Sequence, residues 1–347
     1  MKTRDINELW ENPCPSTFII AEVAQAHDGS LGLAHAYIDA AAKTGADAVK
    51  FQTHIAAEES SPQETWRVKF SRQDATRYDY WKRMEFTVEQ WAGLKQHAEE
   101  KGLALLSSPF SLAAIQMLER IGVPAWKVAS GEVTNQLFLD AMISTRIPIL
   151  VSSGMSYLEE LDATMAQIKT AGIRTAVFQC TTAYPCPPEK IGINQISELM
   201  ARYGCPVGLS DHSGTPYPSL AAVTLGARLI EAHITLSREM FGPDTSASLT
   251  TQEFTQMVEG VRFIEKMIAH PIDKKANAEQ MGPMRKMFGQ SLVAATDLEA
   301  GTVIYKENLS CRKPGSGIPS ANINSVLGKK LRVAVKASQF LRSDNFY

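Results

Sequence analysis

Pro206-Val207-Gly208-Leu209-Ser210-Asp211-His212 and Leu229-Ile230-Glu231-Ala232-His233 are two short apolar runs, each finished by polar residues and a histidine. Runs of this kind, bounded by Gly, Pro or polar residues, read as strands buried on both faces. The helix-like stretch 219–227 between them makes the two strands parallel neighbours. With a two-residue repeat, Gly208, Ser210 and His212 share one face of the first strand, and Glu231, His233 and Thr235 share one face of the second. Both imidazoles then point into one space, as they would to hold a metal at the mouth of a barrel. Either histidine alone would be read as a hydrogen-bonded structural residue. The pair, with Ser210 and Asp211 alongside, reads as a site.

Working outward, eight such runs recur at 18–24, 46–53, 104–110, 125–129, 148–152, 175–180, 206–209 and 229–235. Helical periodicity separates most of them, most clearly at 31–43, 88–101, 112–121, 157–171 and 252–268. Ser156 followed by Glu159 has capping-box spacing, and Gly102 and Gly172 stand where helix C-terminal caps belong. Strand and helix alternating eight times predict an α/β chain folded as a (β/α)8 TIM barrel over residues 1–270, with a doubly wound open sheet as the structural alternative. A long polar insertion, 54–85, carries Trp66, Tyr78 and Trp81 and reads as a lid, a binding loop or a surface excursion. Residues 271–290 lack periodic apolar content and read as a linker. Strand-like runs at 292–295, 302–304 and 331–335, punctuated by turns, predict a small β-rich domain over 291–347.

Composition narrows the function class. The chain has 347 residues and a formal net charge of -2, so nothing marks a nucleic-acid partner. Cys14, Cys180, Cys186, Cys205 and Cys311 are scattered without a Cys-x-x-Cys pair and read as reduced thiols. Asp5, Glu8 and Glu11 stand where a signal peptide needs an apolar core, and no apolar run is long enough to span a membrane, so a cytoplasmic protein without a membrane partner is expected.

In a barrel of this class the chemistry gathers at the C-terminal ends of the strands. There the chain places Glu22; Lys50, Gln52 and Thr53; Ser107 and Ser108; Lys127, Ser130 and Glu132; Ser152 and Ser153; Gln179, Thr181, Thr182 and Tyr184; and the Ser210 and His233 clusters. A desolvated ammonium must pair or lose its proton, so Lys50 and Lys127 amid so many hydroxyls read as a cradle for a phosphate and a carboxylate. Pairing of one lysine with Glu22 or Glu132 as a structural ion pair is the plain alternative, and a Schiff-base lysine is a third. The histidine pair argues against the last. Two imidazoles, with Glu22 or water completing the shell, suit a divalent transition ion of open identity that acts as a Lewis acid on a carbonyl.

The ordered motifs Ala21-Glu22-Val23, His27-Asp28-Gly29-Ser30, Val49-Lys50-Phe51-Gln52-Thr53, Ser107-Ser108-Pro109-Phe110, Lys127-Val128-Ala129-Ser130-Gly131-Glu132, Ser153-Gly154-Met155, Gly208-Leu209-Ser210-Asp211-His212 and Gly242-Pro243-Asp244 resemble those of the sialic acid (nonulosonate) synthase family. The resemblance reaches the tail, where Ser291-Leu292-Val293-Ala294-Ala295 and Pro314-Gly315-Ser316-Gly317 look like that family's antifreeze-like SAF domain. It implies condensation of phosphoenolpyruvate with an N-acyl hexosamine such as N-acetylmannosamine, with C–O cleavage and phosphate release, in a domain-swapped homodimer. By position it gives the metal, manganese in this reading, to His212 and His233, and phosphoenolpyruvate to Lys50, Ser108, Lys127, Ser130, Ser153 and Ser210. Gln52, Glu132, Thr182, Tyr184 and Asp244 go to substrate, with Glu22 or Asp244 as general base.

This chain departs from the family pattern in its sugar half. Ala26 and Thr182 stand where the family often has Asn, and Lys313, beside Arg312, stands where an arginine reaches the N-acyl group from the partner subunit. Lysine lacks the planar fork of arginine. N-acetylmannosamine, its 6-phosphate, and diamino sugars leading to legionaminate or pseudaminate are therefore all open as acceptors. An inactive binding protein that keeps the barrel is the alternative from another class.

Overall fold

Eight parallel strands close into a barrel: β1 (Phe18–Ala24), β2 (Ala48–Thr53), β3 (Ala104–Pro109), β4 (Trp126–Val128), β5 (Ile149–Ser152), β6 (Thr175–Cys180), β7 (Val207–Asp211) and β8 (Leu229–Thr235). Each pairs with the next, and β8 returns to β1. The computed structural model describes residues 3–11, 16–66 and 68–347, so Cys14 lies outside the described residues. Cys180, Cys186, Cys205 and Cys311 are free thiols. Among the described residues, no helix is long and apolar enough to cross a membrane.

Helix α1 (Leu31–Thr44) follows β1, and α2 (Ala56–Glu59), α3 (Arg77–Met84) and α4 (Val88–Glu100) follow β2. Helices α5 (Leu112–Ile121), α6 (Gln136–Ser144), α7 (Leu158–Thr170), α8 (Gln195–Tyr203), α9 (Tyr217–Thr224) and α10 (Thr251–Ile268) follow the remaining strands in order. The cap of α7 falls one residue later than the Ser156 and Glu159 spacing suggests, because the Tyr157 N–H donates to the Glu160 carboxylate at 2.8 Å. Gly102 and Gly172 do end their helices in the left-handed region, at φ 79° and 68°.

The two-residue alternation sorts each strand into two apolar layers. Ile19, Val49, Leu105, Trp126, Val151, Val177, Leu209 and Ile230 face the helices. Phe18, Ile20, Ala48, Leu106, Ala125, Leu150, Phe178 and Leu229 fill the barrel interior, joined by Ile6 and Leu9 of a 3-10 turn, Ile6–Trp10. Gly208 also belongs to this interior, since a Cβ there would stand 2.7 Å from both Leu229 and Phe178.

The 54–85 insertion folds back on itself, with Trp66, Phe70 and Tyr78 packed on a small core of Ala56, Tyr80, Trp81 and Met84. Arg83 ties it to the β1–α1 loop by donating to the carbonyl and carboxylate of Asp28, both at 2.7 Å, and to Asp74 at 2.8 Å. Gly29, at φ +77°, permits that approach, because a Cβ there would lie 2.3 Å from the Arg83 carbonyl oxygen.

A second compact unit, His270–Tyr347, stands on its own contacts. Residues 271–290, expected as a linker, contain two short helices, α11 (Lys274–Gln280) and α12 (Gly282–Phe288). Neither buries a residue, so no apolar stripe betrayed them in the sequence. The core of Leu292, Leu298, Ile304, Val326, Leu331, Val335 and Leu341 sits under an antiparallel pair, β9 (Ser291–Ala294) and β10 (Leu309–Arg312). The runs expected as strands at 302–304 and 331–335 make only isolated bridges, such as Val303 with Lys330 and Leu298 with Val335.

Candidate active site

Above the apolar floor, the same inward-facing positions turn ionic. Register places Glu22 opposite both Lys50 on β2 and His233 on β8, and Ser210 opposite Glu231. Lys50 Nζ lies 2.8 Å from Glu22 Oε2 and 3.7 Å from Glu231 Oε1. Lys127 Nζ lies 3.0 Å from Glu231 Oε1, donates to Ser152 Oγ at 2.7 Å and stands 4.8 Å over the Phe178 ring. Ser210 Oγ donates to Glu231 Oε1 at 3.1 Å. Both lysines are thus already paired, Lys50 with Glu22 and Lys127 with Glu231. Glu132 pairs with neither, accepting instead from Asn135 at 2.7 Å.

The two buried carboxylates are not equivalent. Burial pushes the Glu22 carboxyl above the usual range, Lys50 offsets part of this, and the Glu231 charge adds to the rise. Burial acts on Glu231 too, but Lys127 and Lys50 together hold it below the usual range. Lys50, although desolvated, is held above the usual lysine range by Glu22 and Glu231 and stays an ammonium ion. Such a split between neighbouring carboxyls is what acid–base sites use to assign roles.

His212 and His233 meet edge to face with centroids 5.3 Å apart, and Tyr184 stacks on His212 at 4.1 Å. The His212 Nδ1–H donates to the Thr181 carbonyl at 2.8 Å, which leaves Nε2 to accept from the Tyr184 hydroxyl at 3.1 Å. Burial, with His233 adding to it, holds the His212 pKa down to about 3, so the ring is neutral. Among the described residues, no three His, Cys, Asp or Glu side chains group as a metal cage. Glu22, expected to complete a shell, is engaged by Lys50, and Asp211 turns away to accept from the Ser213 hydroxyl at 2.8 Å. The neutral His212 ring with the His233 imidazole beside it fits an ion that draws its other ligands from substrate and water.

The remaining expected residues sort by place. Ser108 is buried beside Gln52 in register. Ser153 Oγ donates to the Phe178 carbonyl at 2.8 Å, whereas its neighbour Ser152 is the hydroxyl that reaches Lys127. Ser130, Thr182 and Cys180 converge on Gly154, where a Cβ would lie 2.7, 2.8 and 3.1 Å from their side-chain atoms. Gln52, Thr182, Tyr184 and Asp244 line a cavity of about 680 Å³, walled from the insertion by Trp66, Phe70, Tyr80 and Trp81. In the second unit, Arg312 folds onto the Cys311 carbonyl at 3.2 Å and Lys313 Nζ stands 5.5 Å over the Phe288 ring.

Against known families, residues 37–273 match the NeuB family and residues 289–346 the SAF domain. The chain belongs to the NeuB family. The N,N'-diacetyllegionaminic acid synthase of Campylobacter jejuni is 32% identical over 94% of this chain and 99% of its own length. The human N-acetylneuraminate-9-phosphate synthase is 31% identical over 94% of this chain and 90% of its own. Among solved structures, the N-acetylneuraminic acid synthetase of Leptospira borgpetersenii, in complex with citrate, superposes with a TM-score of 0.68 at 27% identity, covering 78% of this chain and 91% of that one. Relatives named for different sugar acids stand equally near in the NeuB family, so identity does not choose among their acceptors.

Sequence reasoning gave no role to Glu231, which both lysines approach, did not single out Ser152 as the hydroxyl on Lys127, and did not name Phe70 or Tyr80 on the cavity wall. The alternation that put Glu231 on the His233 face was the signal for the first.

Proposed function

We propose that this chain condenses phosphoenolpyruvate with an open-chain N-acyl hexosamine to give a nine-carbon 2-keto acid and inorganic phosphate. The observation that carries this is the buried Glu22, Lys50, Glu231 and Lys127 array, which holds the Ser152 and Ser210 hydroxyls and is joined through Gln52 to an aromatic-walled cavity. An anion with separate carboxylate and phosphate groups has two ammonium ions to meet there, exchanging one set of charge pairs for another in a site that excludes water. Ser108, Ser130, Ser153 and Ser210 supply hydroxyls around it.

In the reaction, C3 of phosphoenolpyruvate forms a bond to the aldehyde carbon, whose oxygen takes a proton. Water adds to the resulting cation at C2, and the tetrahedral intermediate loses phosphate by C–O cleavage, leaving the ketone. Glu22 is the better general base of the two candidates, because it lies in the barrel interior against Lys50 with its carboxyl pushed up, whereas Asp244 lines the wider cavity with Gln52 and Tyr184. Gln52, Glu132, Thr182, Tyr184 and Asp244 orient the acceptor. His212 and His233 would hold a divalent ion, manganese by resemblance, which when bound supplies Lewis acidity toward a carbonyl oxygen. In a domain-swapped homodimer, Arg312 or Lys313 of one copy serves the acceptor pocket of the other.

Phosphate release with a panel of N-acetylmannosamine, its 6-phosphate and a diacetamido-trideoxyhexose tests the reading and names the acceptor. Release with one of them, abolished by chelation and restored by manganese, is the expected outcome. Binding of phosphoenolpyruvate without release from any acceptor would leave only an inactive binding protein. A Schiff-base aldolase is disfavoured because Lys50 is held as an ammonium ion by two carboxylates, and borohydride should trap no pyruvate adduct on Lys50 or Lys127.

A further inference from the structure

A buried line of polar side chains runs from Glu22 and Gln52 into the 54–85 insertion, and the proposed chemistry leaves Gln25, His54 and Glu59 in it unused. His54, just past β2, is 3% exposed and lies between two parallel rings, Trp81 at 4.0 Å and Phe110 at 4.7 Å. Its Nδ1 is 2.6 Å from Glu59 Oε1, while Glu59 Oε2 accepts from the Ile55 N–H at 3.3 Å. A carboxylate that accepts on both oxygens takes the imidazole proton at Nδ1, and in the neutral ring this leaves Nε2 as an acceptor. Two atoms face Nε2: the amide nitrogen of Gln25, a donor, at 2.8 Å, and the carbonyl oxygen of Gln52 farther off at 3.4 Å, so the shorter contact makes Nε2 the acceptor from Gln25. The same Gln25 nitrogen donates to the Gln52 carbonyl, and the Gln52 amide nitrogen in turn donates to Glu22 Oε1 at 3.5 Å.

The donor and acceptor sense is therefore assigned from one end to the other. Glu59 fixes His54, His54 fixes Gln25, and Gln25 fixes Gln52. A glutamine amide can turn over and exchange its oxygen and nitrogen at little steric cost, so each would otherwise offer either polarity to a ligand. Both line the acceptor cavity. With both Gln25 amide protons spent, its carbonyl is what it can offer. With the Gln52 carbonyl spent, its second amide proton is what that residue can offer.

We infer that His54, locked by Glu59, is a positioning residue that sets these two amides, so that the acceptor sugar meets a hydrogen-bond acceptor on Gln25 and a donor on Gln52. The complementary ligand presents a hydroxyl or amide N–H to Gln25 and, a short distance away, a carbonyl or hydroxyl oxygen to Gln52, as a polyhydroxylated N-acyl sugar does. The inference takes its ligand from the synthase reading and its geometry from the protein alone.

Two measurements test it. Nitrogen-15 NMR of the His54 ring in the full-length protein should show the Nδ1–H tautomer, and an Nε2–H tautomer overturns the inference whatever the enzyme does. His54→Phe keeps the ring stack and removes both nitrogens. It should raise the acceptor KM about tenfold while the phosphoenolpyruvate KM stays within about twofold. Glu59→Leu removes both acceptors, should match His54→Phe and carries the kinetic test if that variant does not fold. An equal rise in both KM values, or no rise in either, overturns the inference. If wild-type protein releases no phosphate with any acceptor, the synthase reading fails while the NMR result still decides this one.

Discussion

The floor and the mouth of the barrel use the same inward-facing register to opposite ends. Ile20, Ala125, Leu150 and Leu229, with Phe18, Leu106 and Phe178, make the floor a hydrocarbon plug, and the next inward positions after the first four are Glu22, Lys127, Ser152 and Glu231. The floor is stabilised by area removed from water and by close packing. The mouth removes charge from water, which folding alone does not reward, and replacing buried ion pairs by apolar side chains is often neutral or stabilising. The mouth is therefore best understood as stability set aside for binding and chemistry, and that contrast can be attacked at several points.

Glu22→Gln should give the largest effect, a fall in kcat of about 10²- to 10⁴-fold with phosphoenolpyruvate binding retained, as expected for loss of a general base. A change confined to the acceptor KM would instead give that role to Asp244. Lys127→Met leaves Glu231 with only the more distant Lys50, and denaturant unfolding should register a loss of about 3–5 kcal/mol. The double variant Lys127→Met with Glu231→Leu should recover most of that stability and none of the activity. If the double variant stays as unstable as the single, the mouth contributes to folding as the floor does. Leu150→Ala, at the floor, should cost about 2–5 kcal/mol in the same assay and move neither KM.

The smallest effect is expected from acid. His27 is fully buried, and burial, with the nearby His54 ring and Arg83 guanidinium adding, pushes its pKa down to about 3 from 6.5. Its folded form stays neutral while the unfolded chain binds a proton below pH 6.5, so stability present above that pH is lost as pH falls toward 3. The slope is at most about 1.4 kcal/mol per pH unit. In His27→Leu, the fall in unfolding free energy between pH 6.5 and 5 should flatten by up to that slope, and an unchanged slope would remove His27 as its source.

Most of the floor was legible in the sequence because each strand repeats apolar residues on both faces, a pattern that needs no partner to be seen. The strand ends were legible for the same reason, as polar residues terminating apolar runs. Glu231 was placed on the correct face beside His233 but without a role, since its partners Lys127 and Lys50 come from strands far off in the chain and meet it only when the barrel closes. Helices α11 and α12 were invisible because they bury nothing, and a helix without an apolar stripe has no period to read.

Alternation and composition by themselves determined which residues could face the barrel interior: acids, lysines, hydroxyls and two imidazoles at the strand ends. Only the tertiary structure decided who pairs with whom, that Glu231 takes both lysines, that Ser152 rather than Ser153 reaches Lys127, and that His54 settles the polarity of two glutamines. The physical reason is that facing is a local property of the extended backbone, repeating every two residues, whereas pairing depends on the stagger of strands around a closed ring and on an insertion folding back over it.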